Sequence, residues 1–228
     1  MAKLVVFLVA AALLFLLARR LWQRLGRGQR ERFIDAYPYG RFLDKRLAAR
    51  RPELSASQRE QVFAGLREYF HLCNTAGRRL VAMPSQAVDD AWHEFILFTR
   101  HYDKFCRQAF GRFLHHTPAE AMATPTQATE GIKRAWRLSC AREGIDPKKP
   151  ARLPRLFALD ASLGIAGGFV YALDCMAAGQ RDGSAFCASD IGCGGGCSGD
   201  SGCSGDSGGD GGGGDGGSGC GGGCGGGD

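Results

Sequence analysis

Leu4 to Ala18 is an unbroken apolar run, and it sets the first constraint on this chain. Fifteen residues in helical form cover about 22 Å, against a hydrocarbon core of about 30 Å. Ala2, Leu21 and Trp22 lengthen the stretch, and Lys3, Arg19 and Arg20 have side chains long enough to reach the interfaces. A cleaved signal peptide is the rival. Its n-region would hold a single lysine, and the exit Ala-Arg-Arg-Leu-Trp lacks a small-x-small cleavage site. The reading is a transmembrane anchor over residues 1–22. Arg19, Arg20, Arg24, Arg27, Arg30 and Arg32 follow the run and only Lys3 precedes it, so the positive-inside rule puts the rest in the cytoplasm. The expectation is a single-pass membrane protein with the bulk of the chain cytoplasmic and its thiols reduced.

Charge is divided along the chain. All 29 Lys+Arg lie at or before Arg181, whereas the end of the chain carries acids without bases. A basic body suits an anionic surface, with Arg19, Arg20, Arg24 and Arg27 on lipid headgroups. No nucleic-acid-reading motif accompanies the arginines. From Gly192 onward 22 of 37 residues are glycine, with no aliphatic or aromatic side chain to offset ordering entropy, so residues 181–228 are expected to be a disordered tail. Within it, Cys193-Gly-Gly-Gly-Cys197 is repeated as Cys220-Gly-Gly-Gly-Cys224. That spacing is wider than a zinc ribbon's, but thiolates on such a chain can collect soft metals. A plain linker, or a Gly/Ser/Cys substrate for backbone heterocycle formation, are the other readings.

Between these ends the pattern is helical. After a basic juxtamembrane segment (23–34), a turn at Tyr37-Pro38-Tyr39-Gly40 leads to a short helix carrying Phe42, Leu43 and Leu47. Ser57 with Glu60 reads as a capping box for a helix that stops at Gly77, with Val62, Leu66, Tyr69, Phe70 and Cys73 on one stripe. Ser85 caps a long helix running to about Phe110, whose stripe is Val88, Trp92, Phe95, Thr99, Tyr102, Cys106 and Ala109. Thr117-Pro118 and Thr124-Pro125 open further helices, the second ending near Gly144. Phe157-Ala-Leu-Asp160, echoed by Tyr171-Ala-Leu-Asp174, suggests a hairpin or two short docking segments, with a second span less favoured because of Asp174 and the glycines. The fold class is mostly α: an anchor, a helical domain over 35–180, and the tail.

Trp92-His93, Tyr102, Cys106 and Gly111 together resemble the glycine-rich domain-containing protein-like (GRDP-like) family, as does a Gly-rich end. The resemblance covers roughly residues 35 to 175. It implies a helical domain and carries over no catalytic residue.

Chemistry concentrates between Asp89 and His116, which hold four of the five histidines. Asp89 and His93 are four apart and Asp90 and His93 three apart, so each pair shares a helix face. His93 with His115 or His116, and Asp89 or Asp90, make a workable shell for a divalent metal, zinc or iron. The bland alternative is a helix start stabilised by acids, with His93 hydrogen-bonded to a neighbour; no His-Glu-x-x-His spacing is present. Cys73, Cys106 and Cys140 fall on apolar stripes and read as small core residues, although a Cys106–His116 nucleophile pair is conceivable. The functional expectation is a membrane-anchored scaffold or interaction protein, metal-linked and with a protein partner, rather than an enzyme. The competing class is a membrane-tethered metalloenzyme built on His93, His115 and His116.

Overall fold

The computed structural model describes residues 14–15, 26–116, 125–173, 186–187 and 191. Among the described residues the domain has seven helices: α1 (26–36), α2 (Tyr39–Arg50), α3 (Ala56–Ala76), α4 (Gln86–Leu97), α5 (Thr99–Phe110), α6 (Pro125–Glu143) and α7 (Arg155–Leu163). Two-residue strands β1 (Tyr171–Ala172) and β2 (Phe186–Cys187) pair in parallel.

Helix α3 is the central element and packs against α2, α4, α5, α6 and α7. Its apolar stripe is buried as the periodicity requires, with Val62, Leu66 and Phe70 at 0 % exposure. Close approach is possible at Gly65, where a Cβ would meet Val88 Cγ2 at 2.8 Å and Leu159 Cδ2 at 3.0 Å. Three helices therefore converge on a backbone that carries no side chain there. The core beside it is aromatic: Tyr39, Phe70, Phe95 and Phe105 are fully buried, and Phe70 and Phe105 lie 5.0 Å apart between ring centroids. Burying each such ring is worth about 1.5–3 kcal/mol.

Several expectations from the sequence are revised. The cap of α3 is Ser55, not Ser57: the Ser55 hydroxyl accepts from Gln58 N at 3.3 Å and the Gln58 side chain accepts from Ser55 N at 2.9 Å. Ser57 and Glu60 sit within the helix. The single long helix from Ser85 to Phe110 is two helices with a break at Phe98 (φ −82°, ψ 57°). No glycine or proline marks the break. Its cause is packing. Phe95 and Phe105 would be about 15 Å apart along one continuous helix, yet their rings stand 5.2 Å apart because α5 folds back. Thr99, assigned to the buried stripe, is exposed at the start of α5. Of the hairpin and the two short docking segments expected here, the hairpin is not formed: the first segment is α7, packed on α3 and α4, and the second is β1, packed on α7. Phe157, in α7, packs edge-on against Tyr171 at 4.9 Å.

Among the described residues no helix is long and apolar enough to cross a membrane. The apolar run at 4–18 lies outside the described residues except for Leu14 and Phe15, which are helical and 67 % exposed. Arg19, Arg20, Arg24, the helix opened by Thr117 and the thiols Cys193, Cys197, Cys220 and Cys224 also lie outside them.

Candidate metal centre

The first turns of α4 carry most of the chemistry. Ser85 caps the helix, its hydroxyl accepting from Val88 N at 3.3 Å. That same hydroxyl donates to Asp160 Oδ1 at 2.6 Å. The Asp160 carboxylate, 2 % exposed, also accepts from Gln86 N at 2.6 Å, Ala87 N at 3.2 Å and Phe169 N at 2.9 Å. A carboxylate on α7 thus satisfies the unpaired donors at the positive end of α4, where the dipole favours it. Local patterns find Ser85; they cannot find Asp160, which lies 75 residues away.

One turn further, three donor residues come together. Asp89 and His93 project from the same face of α4, with His93 Nδ1 3.3 Å from Asp89 Oδ2. His116 arrives from the segment after α5 and its Nε2 lies 2.9 Å from Asp89 Oδ1. The two imidazoles face one another with centroids 4.3 Å apart, and one donor atom from each of the three residues lies within 4.8 Å of the others. Donors around a tetrahedral zinc stand about 3.4 Å apart, so small side-chain rotations bring the set onto an ion. Side-chain exposure is 18 % for Asp89, 12 % for His116 and 38 % for His93.

The position of His116 is built from the core outward. Trp92 Nε1 donates to the Tyr102 hydroxyl at 3.0 Å, and that hydroxyl donates to Leu114 O at 2.6 Å. Gly111, at φ +69°, ends α5 in a left-handed conformation that turns the chain toward this carbonyl. Trp92 then packs edge-on against His116 at 4.5 Å.

Two sequence candidates fall elsewhere. Asp90, one position round the helix, faces α2 and accepts from Arg50 Nε at 2.9 Å and Arg51 Nε at 2.7 Å. Glu94, a second buried carboxylate, continues the row with the half-exposed Arg46 and Arg50. His115 is exposed and its ring lies tilted against Phe113, 4.8 Å between centroids. In extended backbone neighbouring side chains alternate, which is why His116 turns inward and His115 does not. The Cys106–His116 pair is not formed, since His116 is committed to Asp89 and Cys106 is a fully buried neighbour of Tyr102. Burial pushes the Cys73 thiol up to about 12 and Cys140 up to about 11, and raises Cys106 as well. These are inert core thiols.

His93 Nδ1 is buried and makes no hydrogen bond, its approach to Asp89 being long and poorly directed. His116, by contrast, is satisfied. A hydrogen-bonded Asp–His pair alone would leave the second imidazole without a partner, whereas an ion between the three residues would be coordinated by the unpaired nitrogen. The donor set, two imidazoles and one carboxylate, fits zinc or ferrous iron.

A family model described as UCP032817-like matches residues 29–191. No curated protein and no solved structure matches the chain. The family match overturns the resemblance to glycine-rich domain-containing proteins. The residues behind that resemblance have local structural explanations: Trp92 and Tyr102 form one hydrogen bond, Cys106 fills the core, and Gly111 supplies a positive φ. Such a short set of packing residues is weak evidence of kinship.

Proposed function

The chain belongs to the UCP032817-like family, and from that premise we propose that it is a membrane-anchored domain that holds one divalent metal ion at Asp89, His93 and His116. The ion staples the segment after α5 to α4 and so fixes the surface that the domain offers to a protein partner. One observation carries this reading: His93 Nδ1 is buried without a hydrogen bond inside a group of three metal-competent side chains. The anchor is residues 1–22, with Arg19, Arg20, Arg24 and Arg27 on anionic headgroups and the domain in the cytoplasm. Its support is the apolar run itself and the arginine bias behind it.

A second reading rests on the 38 % exposure of the His93 side chain. Three protein ligands leave a coordination position, and a solvent-facing edge would let water or substrate fill it, as in metal-assisted hydrolysis. No carboxylate is free to act as a base beside the site among the described residues: Asp90 and Glu94 are bound to arginines. The staple is therefore favoured over the enzyme.

The test is metal content and melting of the full-length protein in detergent. Wild type is expected to retain about one zinc or iron per chain and to melt lower after chelation, by about 2.7 kcal/mol for an ion supplied at a hundred times its Kd. His93→Ala and His116→Ala should lose the ion and stay folded. Protein that carries no metal, and whose melting ignores zinc, ferrous iron and chelator alike, would exclude the site.

A further inference from the structure

The folded domain gathers a second set of arginines that the sequence scatters over more than a hundred positions. Arg27 and Arg30 occupy the first turns of α1. Arg27 Nη2 donates to Thr75 Oγ1 at 2.8 Å, at the last turn of α3. A Cβ on Gly111 would meet Arg30 Nη2 at 2.6 Å, so Arg30 lies over the end of α5. Arg78 and Arg79 are exposed just beyond the end of α3, and Arg79 Nε donates to Ala76 O at 3.4 Å. Arg112 donates to Gly77 O and Arg134, from α6, donates to Leu80 O.

These six guanidinium groups surround the C-terminal end of α3. The carbonyls there, and the negative end of the helix dipole, attract cations. Carbonyls satisfy hydrogen bonds but cancel no net charge. Among the described residues, Arg27 alone of the six has a carboxylate partner, Glu31 at 3.2 Å. Elsewhere on the domain Arg46, Arg50, Arg51, Arg59, Arg107, Arg137, Arg142 and Arg152 form ion pairs, whereas Arg32, Arg41, Arg67, Arg100 and Arg155 make none among the described residues. What sets the end of α3 apart is that six guanidinium groups gather there with one carboxylate among their partners.

We infer that this face is a docking surface for anionic lipid headgroups, holding the domain flat on the membrane that the N-terminal run enters. The inference rests on that membrane reading, and chain length supports it. From Ala18, the end of the apolar run, to residue 26 are eight peptide steps, at most about 28 Å of chain. The patch begins at the first turn of α1, so the end of the domain that must lie nearest the anchor is the end where these arginines gather. Phosphate and carboxylate groups on lipids provide the missing anions, and guanidinium groups bind them in forked geometry. Each arginine near such a surface strengthens association about fivefold.

The experiment uses the full-length protein with vesicles of phosphatidylcholine alone and with added phosphatidylserine. Flotation and amide hydrogen exchange are measured together. With phosphatidylserine, exchange across 76–80 and 111–113 should slow relative to neutral vesicles. The protection should vanish in high salt and in the double variant R78E/R79E. Both side chains are exposed and make no ion pair, and an unchanged melting curve verifies that the variant folds. Flotation on neutral vesicles without any serine-dependent protection overturns the docking surface and leaves the anchor standing. Flotation that needs phosphatidylserine and is lost in R78E/R79E removes the anchor and retains the surface. Equal protection by a nucleic-acid duplex in place of vesicles overturns the lipid assignment.

Discussion

Tyr102→Phe isolates one oxygen atom whose removal reaches from the core to the candidate metal centre. The ring is 1 % exposed and phenylalanine preserves its packing, so no apolar burial is lost. The hydroxyl accepts from Trp92 Nε1 and donates to Leu114 O. Replacing a hydrogen bond by one to water costs about 0.5–1.5 kcal/mol, but a group left buried and unpaired costs about 1–3 kcal/mol. The second figure applies, because Trp92 is 3 % and Leu114 8 % exposed and water has no room to substitute. With two groups stranded, the expected loss is about 2–6 kcal/mol. For a domain of this size each kcal/mol lowers Tm by about 2–4 °C, so the metal-free variant should melt about 4–24 °C below wild type. Circular dichroism melts and denaturant titration at unchanged m-value measure it. His116 lies two residues beyond Leu114, so metal affinity should fall about tenfold as well. A melting point within 1 °C of wild type would refute the argument that this hydroxyl holds the segment.

Adjacent acids should separate cleanly. Asp90→Asn weakens the contacts of a buried carboxylate with Arg51 and the half-exposed Arg50 and should cost about 1–3 kcal/mol in a denaturant titration while leaving bound metal unchanged. Asp89→Asn should do the opposite, abolishing metal retention while costing about 1 kcal/mol when both proteins are compared metal-free. Asp160→Ala strands the Ser85 hydroxyl and three backbone amides, and amide exchange should show α4 fraying first, with a global loss of about 3–5 kcal/mol. Alkaline stability follows from Cys73, whose thiol is raised to about 12 by burial. The folded state keeps this proton where the unfolded chain releases it. Its contribution is therefore constant below about pH 9 and is lost at up to about 1.4 kcal/mol per pH unit between 9 and 12. Cys73→Ala should flatten that limb of a stability–pH curve, and an unchanged slope would contradict the assignment.

Helical periodicity located α2, α3, α6 and the two halves of the Ser85–Phe110 stretch, because amphipathic burial and local caps are written in neighbouring residues. The glycine stops at Gly77, Gly111 and Gly144 were equally legible, since a positive φ is a local demand. Cap placement erred by two residues at Ser55, where two serines compete and only backbone geometry chooses.

The metal candidates show the same division. The amino-acid order alone confined the donors to Asp89, Asp90, His93, His115 and His116, because residues three and four apart on a helix must share a face. It had no means of choosing between neighbours. One step along α4 rotates a side chain by about 100°, and which acid meets Arg50 and which meets His116 depends on where α2 and the segment after α5 lie. The break at Phe98 decides that placement, and no breaker residue announces it; it brings the rings of Tyr102 and Phe105 each to 5.2 Å from that of Phe95. Long-range partners such as Asp160 under α4, and six arginines around the end of α3, exist only once the chain has closed on itself. Sequence determines which faces are apolar and which groups need partners. Tertiary packing alone determines who the partners are, since their distance along the chain says nothing of their distance in space.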